Sequence, residues 1–216
     1  MALKRMLTMF SLLLLLNVQL SAEQIVLDKH NFEHIHFKRI KPNRVEFNRD
    51  AIYFDVNKSA SFLLLGFNDI KNIRTVSFQW NAVGMLNKDS VEHEKTRKGD
   101  DAWLRVGLII EGQPEHIPEP LLPRWMKQVR RTLKHQSSKM VYLIPDAMHT
   151  PGETWKSPFS SDVDMISVGS TNMDGVWKQA SYAFALPQQV VGLWIMADGD
   201  NTGSIFESQL RNLIIE

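Results

Sequence analysis

The chain has 216 residues, with 25 lysines and arginines against 24 aspartates and glutamates, and it contains no cysteine. A charge this close to balance gives no overall positive field, so nucleic acid is not an expected partner. The absence of cysteine excludes a small disulfide-stapled scaffold and lipid attachment at a cysteine.

The N-terminus has the pattern of a signal peptide. Two basic residues precede an apolar run over residues 6–16, and a small residue, Ala22, follows. We predict cleavage after Ala22, because the run is shorter than the roughly 20 residues that an anchor helix needs. Residues 1–22 are then the signal peptide, and residues 23–216 are a single domain in the periplasm or secreted, with no membrane span left.

Most of the remaining chain shows strand patterns. Residues 52–56 and 75–80 alternate apolar and polar side chains, which is typical of strands with one buried face. Residues 62–67, 103–110 and 190–197 are apolar almost throughout, as strands covered on both faces are. Turn-forming residues separate these segments, so the pattern predicts an all-β fold, an antiparallel β-sandwich. The residues expected in its core are Phe78, Trp80, Val106, Leu108, Leu193 and Ile195.

One segment breaks the strand pattern. Over residues 121–136, apolar side chains recur at helical spacing, and many of the other positions are basic. Pro123 suits the first turn of a helix, so we predict one short basic helix inserted between strands. Its basic face either contacts an anionic lipid or polysaccharide, or is the solvated side of a helix packed over the sandwich edge. The second interpretation is favoured, because the rest of the chain is not basic.

A charged residue stands inside an apolar strand pattern. Arg105 needs a carboxylate partner there, because an unpaired buried charge is costly. Asp100 and Asp101 precede it and, as neighbours on an extended chain, point to opposite faces. We expect Asp101 to be the partner, since it lies four residues from Arg105. The ion pair either stabilises the sheet or binds a ligand on a concave face of the sheet.

Two tryptophans outside the regular strand patterns are candidate ligand contacts. Trp155 and Trp177 lie in less regular segments, where an indole either stacks on a sugar ring or packs a loop onto the core. The predicted ligand-binding residues are therefore Asp100, Asp101, Arg105, Trp155 and Trp177.

A buried strand pattern near the C-terminus runs into an acidic turn. Asp198, Asp200 and Asn201 lie close together there, with glycines between and after them. Either these side chains cap backbone N–H groups, or they supply part of a calcium shell. Asp198, Asp200 and Asn201 are therefore the candidate metal ligands, and another acid such as Glu207 or Glu216 would complete the shell. No cofactor is required, and calcium is the one ion that the turn suggests.

Four sequence blocks, taken together, resemble one known family. The blocks, in chain order, are Phe78–Asn81, Asp100–Gly107, Val141–Tyr142 with Thr154–Phe159, and Ile195–Gly203. They resemble the exported bacterial domain-of-unknown-function family numbered three thousand and forty-seven, over residues 62–216. The resemblance implies a jelly-roll sandwich of the galactose-binding type and no particular activity. The chain lacks the aromatic residue that relatives carry soon after Tyr142 and the acidic residue before Tyr182, so a ligand site built on those positions would differ here.

The absence of enzyme motifs favours a non-catalytic protein. The sequence has no nucleophile elbow, no cysteine nucleophile and no nucleotide-binding glycine pattern. Our leading expectation is an exported β-sandwich that binds a glycan of the envelope or the extracellular matrix, by analogy of fold. One alternative is a polysaccharide hydrolase or lyase that uses Asp100 or Asp101 with a distant acid. The other alternative is a structural or assembly partner of an envelope protein.

Overall fold

The computed structural model describes residues 22–115 and 117–216, in which the chain forms one mostly antiparallel arrangement of 12 strands with two α-helices. The strands are β1 (Glu23–Gln24), β2 (Glu33–His36), β3 (Arg44–Asn48), β4 (Ala51–Asn57), β5 (Ala60–Met85), β6 (Ala102–Glu111), β7 (Ser137–Pro145), β8 (Thr154–Ser157), β9 (Ser160–Val168), β10 (Ser170–Asn172), β11 (Lys178–Asp198) and β12 (Ile205–Ile215). The helices are α1 (Val91–Glu94) and α2 (Arg124–Thr132), and a 3₁₀ turn covers Glu119–Leu121. Apart from Ala22, the predicted signal peptide lies outside the described residues.

Two long strands build the sandwich by taking part in both of its layers. β5 and β11 pair antiparallel over two stretches, with irregularities of register between them. In the first layer the strand order is β2, β5, β11, β6, β7, β9 and β8. In the second layer the order is β3, β4, β12, β5, β11 and β10. The predicted all-β sandwich is confirmed, and β7 with β9 is the parallel pair among the described strands.

The main core lies between the two layers. The first layer contributes side chains such as Leu63 and Leu143, and the second contributes Phe54 and Leu210. All of these side chains are buried, as period-2 patterning with one inward face requires. The six residues predicted for the core are all buried as well: Phe78, Trp80, Val106, Leu108, Leu193 and Ile195.

A second apolar cluster covers the outer face of the first layer. Phe62 of β5 and Trp194 of β11 stack there with their ring centroids 3.3 Å apart. The apolar side of α2 packs on this cluster through Trp125, Val129 and Leu133. The central strands of this layer are therefore covered on both faces, which is why their sequences are apolar almost throughout.

The helix is shorter than the segment 121–136 that carries the helical pattern, which is thus a loop with one helical piece. α2 begins after Pro123 and ends at Thr132, because Leu133 is extended (φ −71°, ψ 134°) and leads the chain into β7. Two glycines of the sheet let the end of α2 approach closely. A Cβ atom on Gly66 would lie 2.5 Å from the Thr132 carbonyl oxygen, and one on Gly192 would lie 2.9 Å from Cδ2 of Leu133.

Among the described residues, no helix has both the length and the apolar character to cross a bilayer.

Candidate functional site

A buried arginine forms the centre of a charged cluster on the outer face of the first layer. Arg105 of β6 donates from Nη1 to Asp198 Oδ2 at 2.7 Å and from Nη2 to Asp100 Oδ1 at 3.0 Å. Nη2 also donates to the Asp100 carbonyl oxygen at 2.8 Å. All three side chains are almost completely buried. The prediction that Arg105 needs a carboxylate is confirmed, because burial would otherwise leave the guanidinium unpaired.

The predicted partner of Arg105 is wrong. Asp101 makes no ion pair with Arg105, because β6 begins only at Ala102 and the alternation of a strand does not extend back through the preceding turn. The second partner, Asp198, instead comes from the neighbouring strand. In the register of β6 with β11, Met196 lies opposite Arg105 and Asp198 opposite Ala102, with an irregularity between the two pairs.

Asp101 closes the acidic turn that follows β11. Its Oδ1 accepts hydrogen bonds from the backbone N and the side-chain Nδ2 of Asn201, both at 3.2 Å. Its Oδ2 accepts from the backbone N of Thr202 at 2.8 Å and from the Thr202 hydroxyl at 2.5 Å. A carboxylate has about four acceptor sites, so Asp101 is fully occupied by this turn. The predicted capping of the turn therefore comes from a residue about one hundred positions earlier.

Three carboxylates converge where β11 ends. Oxygen atoms of Asp101, Asp198 and Asp200 all lie within 4.8 Å of one another, and this group could hold a metal ion. Asp198 and Asp200 were predicted as metal ligands, and the third carboxylate is Asp101 rather than Glu207 or Glu216. Asn201 lies beside the group and donates its amide to Asp101 and, at 3.4 Å, to Asp200.

The cluster holds more negative than positive charge. Burial raises the pKa of Asp198 well above its usual value, and Asp101 and Asp200 raise it further, although Arg105 lowers it. Burial also raises the pKa of Asp100, against the lowering effect of Arg105 and Lys88. One oxygen of Asp198, Oδ1, is buried without a hydrogen-bond partner among the described residues. A proton or a cation would relieve this excess of negative charge.

A large cleft opens beside the cluster. Its volume is about 1300 Å³, and it lies on the outer face of the first layer. It is bounded by α2 and residues 113–115 and 117–119, and by side chains of β6, β7, β9 and β11. Its lining includes aromatic, acidic and basic side chains together. Among them are Phe37, Trp125, Tyr142, Phe159, Trp194, Asp100, Arg105, Asp198, Asp200, Asn201, Arg130, Lys134 and Lys139. Two further buried polar atoms of lining residues, Arg105 Nε and Trp194 Nε1, have no hydrogen-bond partner among the described residues.

Residues 30–214 match a family described as a protein of unknown function, DUF3047. The chain belongs to the DUF3047 family. No curated protein matches its sequence. Among solved structures, the enzymatically active domain of bacteriophage CBA120 tailspike protein 4 resembles it with a TM-score of 0.40 and 7% identity, covering 88% of this chain and 20% of that chain.

This DUF3047 protein thus spans about a fifth of the tailspike chain, and a likeness at that TM-score carries no functional inference. The family match agrees with the resemblance read from the sequence blocks, and the jelly-roll expectation is consistent with the observed sandwich.

Two predicted ligand contacts lie outside the cleft of this DUF3047 protein. Trp155 stacks on the ring of His149, with centroids 3.9 Å apart, and Trp177 lies against the guanidinium of Arg211 at 3.9 Å. Neither indole lines the cleft, so the structure does not bring them together with Asp100, Asp101 and Arg105. The Phe, Tyr and Trp residues that do line it are Phe37, Trp125, Tyr142, Phe159 and Trp194.

A second buried charged cluster supports the loop that carries Asp100 and was not found in the sequence. Glu94 of α1 pairs with Lys88, and its Oε2 lies 3.7 Å from Nε2 of His149. Nδ1 of His149 lies 2.9 Å from Oε1 of Glu153. The cluster ties the segment 86–101 to the loop after β7, and so fixes the approach of the chain to the charged cluster of Arg105.

Proposed function

We propose that this protein is an exported, non-catalytic binding module that holds a glycan in the cleft on the outer face of its first layer. The observation that carries the proposal is the cleft itself. Its volume of about 1300 Å³ exceeds the roughly 300–1,000 Å³ of ordinary small-molecule sites. A cleft of this size fits a short polymer better than a single small molecule.

The lining of the cleft has the chemistry that a sugar requires. Phe37 and Trp125, which are half-buried, and Phe159, which is exposed, supply aromatic carbon against which the C–H face of a sugar ring packs. Asp200 and Asn201 are partly exposed at its acidic end and offer an acceptor and an amide to hydroxyl groups. The export part of the proposal comes from the signal-peptide pattern of residues 1–22.

Binding of glycans to the purified protein tests this proposal. A glycan array should identify a ligand, and titration calorimetry should show that Asp200→Asn and Asn201→Ala each weaken its binding about tenfold. Asp55→Asn is the matched control, because Asp55 lies exposed on β4, outside this cleft. Absence of any glycan ligand, or equal affinity in all of these variants, would contradict the assignment of the cleft.

The proposal includes a calcium ion at the acidic end of the cleft. Asp198 is 3% exposed, and its Oδ1 has no hydrogen-bond partner among the described residues. Since Asp101 is occupied by the turn, Asp198 and Asp200 are the carboxylates with free oxygen atoms. Calcium takes six to eight oxygens, so ligand hydroxyls, backbone carbonyls and water would supply the others. An ion bound at this position would make glycan binding depend on calcium.

Thermal unfolding with calcium and with a chelator tests the ion. Calcium at a hundred times its dissociation constant stabilises the protein by about 2.7 kcal/mol, which raises the melting temperature by roughly 5–11 °C for this chain length. Asp200→Asn should abolish the increase, and the control Asp55→Asn should keep it. An unchanged melting temperature of the wild type in millimolar calcium would exclude a calcium site, and the acidic turn would then be held only by its hydrogen bonds.

A hydrolase is the second candidate, and one observation favours it. Asp198, with its raised pKa, stands beside the carboxylate Asp200 in a cleft, which resembles an acid with a neighbouring base. The ion pair with Arg105 opposes this role, because it holds Asp198 in place and favours its charged form. Release of reducing ends from a bound glycan, lost in Asp200→Asn, would establish the hydrolase instead of the binding module.

A further inference from the structure

The exposed side of α2, with the residue pair that follows it, carries a concentration of positive charge. Between residues 124 and 134 there are five basic residues and no acidic residue. Two of the 25 lysines and arginines precede residue 23, so the rest of the chain after that point holds 18 basic residues against all 24 acidic ones. The basic face is defined by the following five residues: Arg124, Lys127, Arg130, Arg131 and Lys134.

The charges of this basic face are not neutralised by the described part of the protein. None of the five side chains lies within ion-pair distance of a described carboxylate, although 12 ion pairs occur elsewhere. Four of the five are exposed, and Lys127 is half-buried. One of these side chains makes a long hydrogen bond within the described residues: Arg130 Nη1 donates to the Ile117 carbonyl oxygen at 3.5 Å. Five like charges on about three turns of chain repel one another unless an anion approaches.

The apolar side of α2 is already used by the fold. Trp125, Val129 and Leu133 pack on the outer face of the first layer, and the two sheet glycines hold the helix end against it. An amphipathic helix that inserts into a bilayer surface buries its apolar face in the lipid, and the apolar face of α2 is already packed on the sheet. The basic face therefore suits a polyanion in water, which needs only electrostatic contact.

The basic face continues into the cleft. Arg130 and Lys134 line the cleft as well as the helix surface, and Lys139 of β7 lies on the same lining. Other parts of the lining are acidic, with Glu115, Glu119 and Asp162 besides the Arg105 cluster. A polyanion is therefore attracted along α2 and kept away from the acidic end unless a cation is bound there.

We propose that the basic face of α2 binds an acidic polysaccharide, a chain that carries carboxylate, sulfate or phosphate groups, and that this chain extends from the glycan held in the cleft. This inference rests on the proposed glycan-binding function and names the chemical class of its ligand. The contact is electrostatic, so its strength falls as salt rises.

Binding of a polyuronate to the full protein tests the inference. The double variant Arg124→Gln/Arg131→Gln removes two charges outside the cleft and keeps good helix formers. Two exposed ion pairs contribute on the order of 1 kcal/mol, so affinity for polygalacturonate at low salt should fall about fivefold, with a weaker salt dependence. Lys29→Gln/Arg74→Gln removes the same charge from exposed positions elsewhere and should leave affinity unchanged.

The outcomes separate this inference from the proposed function. A neutral glycan bound by the cleft should keep its affinity in Arg124→Gln/Arg131→Gln and lose it in Asp200→Asn. Equal polygalacturonate affinity in both double variants, or an equal loss in both, would overturn the role of α2 while leaving the cleft intact. Tighter binding to phosphatidylglycerol vesicles than to polygalacturonate, lost in the α2 variant, would also overturn it in favour of a lipid surface.

Discussion

Replacing Arg105 with methionine removes the cation at the centre of the charged cluster. Arg105→Met leaves Asp100 and Asp198 buried without their partner, and it keeps a side chain of similar length against the sheet. Breaking one side of a buried ion pair costs roughly 3–5 kcal/mol, because the remaining charges are uncompensated. For a chain of this length the melting temperature should fall by about 6–20 °C.

The loss should depend on pH in a defined direction. The pKa values of Asp100 and Asp198 are raised in the folded protein, chiefly by burial; Arg105 opposes the increase at both groups, and Lys88 also opposes it at Asp100. Without Arg105 both pKa values rise further. An acid whose pKa is raised on folding stabilises the fold below its unfolded pKa, and that stability is lost as pH rises through the folded pKa. The deficit of Arg105→Met should therefore be smaller near pH 4 than near pH 8.

Urea unfolding of wild type and variant at both pH values is the assay. Arg74→Met is the control, because Arg74 is exposed on β5 and its loss should change stability by less than about 0.5 kcal/mol. A loss below about 1 kcal/mol at pH 8, or a deficit that grows towards acid pH, would refute the view that Arg105 neutralises buried carboxylates.

Three further predictions concern the core, the docking of α2 and the N-terminus. Leu193→Ala should cost on the order of 2–5 kcal/mol in urea unfolding, whereas Leu186→Ala, at a position 74% exposed, should cost almost nothing. Gly192→Ala should lower the free energy of unfolding by roughly 1–3 kcal/mol, because the added Cβ would lie 2.5 Å from the Leu65 carbonyl oxygen. In the control, Gly169→Ala, the added Cβ would lie 3.3 Å from the ring of Pro151, so the loss should be smaller. Equal losses in the two variants would contradict the close packing at Gly192. N-terminal sequencing of the exported protein should begin near Glu23, and an intact Met1 would exclude cleavage.

The sequence predicted the layers of this fold better than the path of its strands. Alternation over residues 75–80 and the apolar run over residues 62–67 correctly marked strands, because side-chain periodicity is local. The two segments were expected to be separate, yet they form one strand, β5, that passes from one layer into the other. The continuity depends on pairing with β11 on both sides of the crossing, which local sequence does not record.

The charged cluster shows where local reasoning stops. That Arg105 requires a carboxylate follows from its apolar neighbours alone, since desolvation has a cost whatever the fold. The register between β6 and β11 determines that Asp198 pairs with Arg105, whereas Asp101 accepts hydrogen bonds from the turn. The pairing of Arg105 with Asp198 and the bonds of Asp101 to the turn are both long-range, whereas the pairing with Asp100 joins residues five positions apart.

The cleft could have been anticipated in part. The apolar runs of the central strands indicated that both faces of the first layer are covered, and the basic helix was the one element free to cover the outer face. The sequence does not predict that Trp125, Tyr142 and Trp194 lie together, because these residues belong to three separate elements, α2, β7 and β11. Trp155 and Trp177 lie in segments without a clear strand pattern. The lack of a pattern indicates that a side chain is exposed, but it does not indicate that two such side chains share a site.

The two interpretations of the acidic turn are compatible, because they use different oxygen atoms. Asp101 gives all of its acceptor capacity to Asn201 and Thr202, so the turn is held without any ion. Asp198 keeps one buried oxygen without a hydrogen-bond partner among the described residues, next to the carboxylate of Asp200. A capped turn therefore leaves one buried oxygen of Asp198 without a hydrogen bond, next to the carboxylate of Asp200 at the end of the cleft, and a cation would be stabilised there.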